Sequence, residues 1–557
     1  MYPEYMQESI KKVESTRPDR LDIARRLGKM IYPGMNEEER KDVLNENHPD
    51  YKADARREVK VGPDKGEILT TEIADMLETY SRIDVKNFDL SKPDLETDVL
   101  IIGAGSAGMS AAIIASEKGS KVLLATKLRL GDSNSMMAQG GIQAADQKDD
   151  SPSIHYMDII GGGHFDNKPE LVKALVNDAP DSIKWLEEMG VMFDKEADGK
   201  MVVKAGGGTS RNRMHSARDY TGAAICKVIR DEVYNRVDKI DYLEYTAIVE
   251  LLLNDKKEVS GAVMYHLENK QFSVVKAKSV IIATGGFGRL HIRGFETSNH
   301  YGATADGIAF AYRAGANLLF MDSVQYHPTG AVYPEQIVGF LCTEKIRALG
   351  AQPVNKDGEL FVYPLEPRDV EASAFIRECN IRGTGITTPS GIKGIWLDTP
   401  LIDQINGEGT IEKELPAMLR QYLRFDIDIR EVPMLVYPTL HYQNGGIEIN
   451  AKCETNIPGL YVAGEATGGI HGRNRLMGNS QLDIIVFGKR AGQNASDRAK
   501  AIEDSGNLSL DHVIAYNKEV EALGVERSKV SPVILPDYIP DHVKAKQLVN
   551  QYNGTLV

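Results

Sequence analysis

The chain has 557 residues, too many for one hydrophobic core, so two or three domains are expected. Its 42% hydrophobic and 26% charged residues are those of an ordinary globular protein. Lys and Arg number 66 against 80 Asp and Glu, and the formal charge of −14 argues against a nucleic-acid binder. No apolar run approaches the roughly 18 residues of a membrane span. Met1-Tyr2-Pro3-Glu4-Tyr5 has neither the basic nor the apolar region of a signal peptide. Cys226, Cys342, Cys379 and Cys453 lie far apart with no Cys-x-x-Cys pair. That spacing excludes a local iron–sulfur or zinc motif and points to a reducing compartment, the cytoplasm.

Residues 1–95 are charged and broken by Pro18, Pro33, Pro49 and Pro63. Asn36 with Glu39 three residues on reads as a helix N-cap, and Glu72 to Tyr80 as a short helix. Leu21, Ile23, Leu27, Ile31, Ile73 and Leu77 are its candidates for packing. The segment carries no evident chemistry; it reads as an extension, either a loose tail or a partner-docking arm.

Order begins at Asp98-Val99-Leu100-Ile101-Ile102, an apolar run of buried parallel-strand type. Gly103-Ala104-Gly105-Ser106-Ala107-Gly108, a helical Met109 to Lys118 and a second strand from Lys121 to Ala125 follow. This is the βαβ dinucleotide fingerprint in context: the glycines admit a pyrophosphate and the helix N-terminus offers it positive dipole. Two further buried strands run into glycine turns, Ser279 to Gly286 and Gly459 to Glu465.

Four islands in the second half set a His or Arg beside Gly, Pro or a break in the apolar pattern. They are Gln325-Tyr326-His327-Pro328-Thr329-Gly330, Pro367-Arg368-Asp369, His441-Tyr442 and His471-Gly472-Arg473-Asn474-Arg475. Each alone reads as a structural loop. Brought together, their cations would bind a small dianion, because Arg grips carboxylates bidentately.

Together, with Ala138-Gln139-Gly140-Gly141, Asn479-Ser480 and Val486-Phe487-Gly488, the islands resemble the flavoprotein subunit of succinate dehydrogenases and fumarate reductases, and its relative L-aspartate oxidase. The resemblance runs from about Asp98 to Gly492. It implies an α/β fold: a Rossmann-type FAD-binding domain from residues 96–327 and 441–500, an inserted α+β capping domain at 328–440, and extensions at 1–95 and 501–557. His327 and His441 would mark the two hinges of the cap. FAD would be held by Gly103, Gly105, Ser106, Ala107, Gly108, Thr126, Lys127, Ser133, Asn134, Ala138, Gln139, Gly140, Gly141, Ala283, Thr284, Gly285, Asp306, Glu465, Ser480 and Gln481. Asp306 also reads as a helix N-cap.

The resemblance further implies that His441 and Arg475 hold one substrate carboxylate and that His327, Thr343 and Glu344 surround the other. Arg368 matches the family's proton donor, with Glu344 and Arg347 as its relay. Arginine ordinarily stays protonated, so this role requires a strongly basic carbanion as acceptor. Electrons would come from an iron–sulfur subunit, since this chain lacks a cluster motif.

Three departures bear on specificity. Ala348-Leu349 between Arg347 and Gly350, Asn444 and Arg473 stand where the family has other residues, and Asn444 with Arg473 would favour a more polar or larger acid than fumarate. Asn134 stands where membrane-bound relatives have the histidine that bonds covalently to flavin, so FAD is expected to be non-covalent. The leading expectation is reduction of fumarate or a related unsaturated dicarboxylate. The alternatives are L-aspartate oxidase and a flavin electron-transfer subunit with a vestigial dicarboxylate site.

Overall fold

The computed structural model describes residues 2–28 and 32–536. Ile31 and the last part of the C-terminal extension, 537–557, lie outside the described residues. The parallel part of the largest sheet runs in the order Leu460–Val462, Phe272–Ile282, Leu95–Ile102, Val122–Ala125, Ile240–Leu243. Val99, Leu100, Ile101 and Ile102 are all buried, which is why the second half of this strand is uniformly apolar instead of alternating. Strand Phe272–Ile282 does double duty: its first half pairs antiparallel with Val259–His266, which pairs in turn with Thr246–Leu253.

Helix Ser106–Glu117 packs against helix Asn479–Ala501. A Cβ at Gly488 would lie 2.6 Å from the Ala107 carbonyl oxygen, and one at Gly492 2.4 Å from that of Ala111. Glycine therefore lets the two helices meet backbone to backbone, and the Val486-Phe487-Gly488 motif is explained by packing.

The inserted unit is built on an antiparallel sheet ordered Val324–Ala331, Met434–Gln443, Lys393–Asp398, Gln352–Val354. Its core gathers Trp396, Phe375 and Tyr422, all fully buried. His327 and His441 do not sit at free hinges, because both lie within strands that pair with each other. Gln325 faces Tyr442 and Tyr326 faces Leu440, so His441 is the extra residue of a β-bulge. A bulge re-aims a side chain out of the regular alternation, and here it turns an imidazole toward a cavity.

Residues 2–28 and 32–95 lie along the chain's own body. Helix Glu4–Leu27 sends Met6, Ile10 and Val13 into the core of the inserted unit, and Arg17 and Arg20 both pair with buried Asp398 at 2.8 Å. The Asn36–Glu39 capping box forms as expected and opens helix Glu37–Asn47. Helix Thr71–Leu77 buries Ile73 and Leu77 in the core of the dinucleotide unit, whereas Leu27 is exposed and Leu21 and Ile23 are half-buried. A short parallel pair, Tyr80–Ser81 with Val530–Ser531, joins the two terminal segments.

The Gly492→Val protein is expected to lose about 1–3 kcal/mol of stability through overpacking of the two helices. A lower thermal midpoint with less retained FAD would show it; an unchanged midpoint would mean the helices can separate freely.

Candidate active site

A cavity of about 390 Å³ runs from the glycine fingerprint to His441. Its walls include Gly103, Gly105, Ala107, Thr126, Lys127, Ser133, Asn134, Ala138, Gln139, Ala283, Thr284, Gly285, Asp306, Glu465, Ser480 and Gln481. Four expected cofactor residues, Ser106, Gly108, Gly140 and Gly141, are not part of this wall. Close packing requires two of the glycines: a Cβ on Gly108 would fall 1.9 Å from the Gly103 oxygen, and one on Gly140 2.4 Å from the Met477 methyl. Ser106 is the first residue of the fingerprint helix, and its hydroxyl is buried without a partner.

This cavity suits a dinucleotide. Gly103 has φ of +102°, and a Cβ there would meet the Ala283 oxygen at 2.4 Å. The N-cap residue Gly105 offers the fingerprint helix no side-chain cap; the Ser106 amide donates to Ser135 Oγ at 3.3 Å, and the amides that follow it are open to a pyrophosphate. Buried polar atoms of Gln139, Thr284 and Gln481 also lack protein partners. Lys127 donates to Thr304 and Asp306 and to the Ile534 carbonyl at 2.6–2.7 Å, so the C-terminal segment reaches the cavity rim. Asp306 is not the N-cap, a position held by Ala305 at φ of +60°; it is the first residue inside helix Asp306–Arg313. Glu465 accepts from the Gln443 amide at 3.0 Å and from Asn134 Nδ2 at 3.1 Å, and Asn134 Oδ1 accepts from the His300 amide at 2.5 Å. Asn134 is thus committed to protein partners.

At the far end the cations assemble. Arg368 opens helix Arg368–Ile376 after Pro367, whose fixed φ suits a helix entry. Its Nε donates to Glu344 Oε2 at 2.7 Å and its Nη1 to Gln325 Oε1 at 3.0 Å. Glu344 also accepts from the Gly207 amide at 2.7 Å, while Arg347 Nη2 stands 3.6 Å away. Arg347 pairs in turn with Glu371 and donates to the Pro364 carbonyl at 2.7 Å. Arg368, Glu344 and Arg347 therefore form one continuous buried chain, and Thr343 is buried beside it.

Arg475 differs from these. It is 2% exposed, lies over the Tyr442 ring at 4.4 Å, and donates from Nη1 to the Leu476 carbonyl at 3.2 Å. Its Nε has no partner, and among the described residues no carboxylate pairs with it. Burial, reinforced by nearby Arg368, brings its pKa down to about 9. His327 and His441 sit edge to face at 5.0 Å. Burial first, then Arg368, holds both imidazoles well below the usual histidine value, so both are neutral. His441 Nδ1 faces Ser298 Oγ at 2.8 Å, which leaves its other nitrogen for the cavity. Burial opposes ionisation of Glu344, yet Arg368 and Arg347 hold its carboxyl below the ordinary range. Burial pushes Glu371 well above it.

One expectation is corrected. Arg473 pairs with Asp166 at 2.7 Å and Asp322 at 2.6 Å, so it is consumed by protein partners. Asn444 Nδ2 donates to Ser323 Oγ and the Arg473 carbonyl, while its buried Oδ1 has no partner. Conversely, Glu371, Ser298 and the side chain of Gln325 take part without having been singled out. Only Gln325 had a signal, its place two residues before His327.

The neutral imidazoles tie stability to pH. An unfolded imidazole binds a proton below about pH 6.5 and a folded one depressed by burial does not, so stability present above that value is lost as pH falls. Between pH 7 and 5, wild type should lose thermal midpoint faster than His441→Gln. Parallel curves would show that His441 titrates normally.

Residues 98–481 match the FAD binding domain family. The chain is 39% identical to one of the subunits of the fumarate reductase (CoM/CoB) of Methanothermobacter marburgensis, over 72% of this chain and 73% of that protein. It is 35% identical to an L-aspartate oxidase of Nostoc, over 70% and 66%. Among solved structures it resembles a point mutant of E. coli quinol fumarate reductase FrdA, with a TM-score of 0.69 and 30% identity over 77% of this chain and 74% of that one. With a fingerprint cavity that reaches His441 and Tyr442, the ring on which Arg475 lies, the chain belongs to the succinate dehydrogenase/fumarate reductase flavoprotein family and is an FAD-dependent oxidoreductase of that type.

Proposed function

We propose that the protein reduces fumarate, or a closely related unsaturated dicarboxylate, to the saturated acid. The observation that carries this reading is Arg475, a buried guanidinium without a carboxylate partner among the described residues. Such a charge is costly to bury, and a substrate carboxylate would compensate it. Arg475 and neutral His441 hold one carboxylate. His327 and Thr343 approach the other, with Glu344 behind them. FAD, when bound, supplies hydride chemistry at the alkene. Charge that develops on the substrate carboxylate meets fixed cations that need no reorganisation. Arg368 delivers the proton from its guanidinium to the neighbouring carbon, and Glu344, 2.7 Å from its Nε, returns one with Arg347 behind it.

The identity to an L-aspartate oxidase favours a second reading. An α-ammonium group would want an uncommitted carboxylate. The acids lining the cavity are already engaged: Asp132 with Arg129, Asp306 with Lys127, and Glu465 with Gln443 and Asn134. The dicarboxylate reading therefore stands first. Retention of the Arg368, His441 and Arg475 constellation speaks against a vestigial site.

Electrons are proposed to arrive from an iron–sulfur partner chain. The four cysteines are all free and buried, and among the described residues no group of three His, Cys, Asp or Glu is placed to hold a metal. No helix among the described residues is long and apolar enough to cross a membrane. We place the protein in the cytoplasm, associated with membranes only through partners.

With a reduced dye as donor, wild type should turn over fumarate and form no peroxide with aspartate. Arg368→Ala should lose at least about 10²–10⁴-fold in kcat with FAD retained, whereas Arg475→Ala should raise KM and lower kcat together. Wild-type rates in Arg368→Ala would sink the proton-donor assignment.

FAD is proposed to be non-covalent, because Asn134 is held by Asn299, His300 and Glu465 and lacks the nucleophilic nitrogen of an imidazole. Acid precipitation should release all FAD to the supernatant. Flavin that stays with the pellet, or with the band on a denaturing gel, would overturn this.

A further inference from the structure

Arg368 is the first residue of its helix, so the aim of its guanidinium follows from where that helix starts. Two buried carboxylate contacts, each with one side outside the family match, fix this position from opposite sides. On one side, Glu366, two residues earlier, has a fully buried side chain. It accepts from the Met35 amide at 2.6 Å and from Arg40, Nε at 3.0 Å and Nη2 at 2.8 Å. On the other side, buried Asp50 accepts from the Val324 amide at 2.9 Å and the Tyr326 hydroxyl at 3.2 Å. Those two residues flank Gln325, which takes the Nη1 bond of Arg368.

The stretch between the two contacts is stiff. Helix Glu37–Asn47, closed by its capping box, packs on helix Arg368–Ile376 and buries Val43 and Leu44. The His48 ring then meets Tyr326 edge on at 5.6 Å. A buried carboxylate is expensive unless paired and hydrogen-bonded. Glu366 and Asp50 therefore hold their partners firmly, and each does so beside the arginine or its Gln325 support. All of Met35 to Asp50 lies outside residues 98–481.

We infer that residues 35–50 form a brace that sets the direction of the Arg368 guanidinium, with Arg40 and Asp50 as positioning residues. The inference rests on the assignment of Arg368 as proton donor. A displacement of about 1 Å in the helix start would move the donor off its line to the substrate carbon, a change that costs up to about 10²-fold in rate without touching substrate affinity.

The experiment uses the full-length, FAD-loaded protein with fumarate and a reduced dye. Wild type, Arg368→Ala, Arg40→Ala, Arg40→Lys and Asp50→Asn are compared; the last keeps the side-chain volume, so a folding failure in one variant leaves the other. Arg40→Ala and Asp50→Asn should each lose roughly 10- to 10²-fold in kcat with KM and FAD content unchanged. Arg40→Lys should recover part of the loss. A kcat within about twofold of wild type in both variants overturns the brace. A loss that tracks FAD content also overturns it, because that is a structural effect. Amide hydrogen exchange supplies an arm independent of turnover: residues 366–372 should exchange faster in Arg40→Ala, and unchanged exchange overturns the brace. Wild type that fails to reduce fumarate, by contrast, removes the Arg368 assignment and leaves the exchange result to decide the brace.

Discussion

The structure depends on a buried excess of positive charge. Among the described residues, Arg368, Arg347 and Arg475 share one region in which Glu344 and Glu371 are the carboxylates that pair with them, and burial favours the neutral form of the second. Taking ions out of water costs several kcal/mol each unless geometry compensates. The fold compensates Arg368 and Arg347 through Glu344, which also collects the Gly207 amide. Arg475 is left with a ring face and a carbonyl. Burial, and after it the same excess, holds the pKa of His327 and His441 well below the usual histidine value, so they serve as hydrogen-bonding groups beside fixed cations instead of adding further charge.

Such a cluster holds its shape only if the units that meet there are locked together. Two paired strands carry His327 and His441 between them, and a bulge aims His441. From the dinucleotide unit, residues 204–219 reach across. Gly207 donates to Glu344, Lys204 pairs with Glu414, and the Arg218 carbonyl accepts from Lys345. Asp219 then accepts from the Ala417 and Met418 amides and so satisfies the start of helix Pro416–Leu423. The terminal segments add a third lock. Helix Glu4–Leu27 completes the inserted core, and residues 55–80 complete the other.

Much of this was legible in the chain. The fingerprint glycines appear because a strand–turn–helix that approaches a pyrophosphate tolerates no Cβ, and Gly103 and Gly108 meet that limit. The islands around His327, Arg368, His441 and Arg475 do converge. Arg473 was legible as a departure but misread in consequence, because its partners Asp166 and Asp322 lie more than a hundred residues away. Residues 2–28 and 32–95 offer a helix cap and scattered apolar candidates, and which core each would join could not be inferred from a broken, charged composition.

The sequence by itself determined the local chemistry: a βαβ dinucleotide fingerprint, buried strands that run into glycine turns, and a set of cations beside Gly, Pro or breaks in the apolar pattern, while the inserted unit came from the family resemblance. Local rules suffice there, since glycine sterics, apolar periodicity and helix caps act over a few residues. Tertiary structure alone decided which cations are spent. Arg473 and Arg475 stand two residues apart in one island, yet the first is neutralised by two aspartates while the second is buried without one. Charge compensation acts through space at a few ångströms and is blind to chain separation, so only the folded molecule distinguishes a scaffold arginine from one left for substrate.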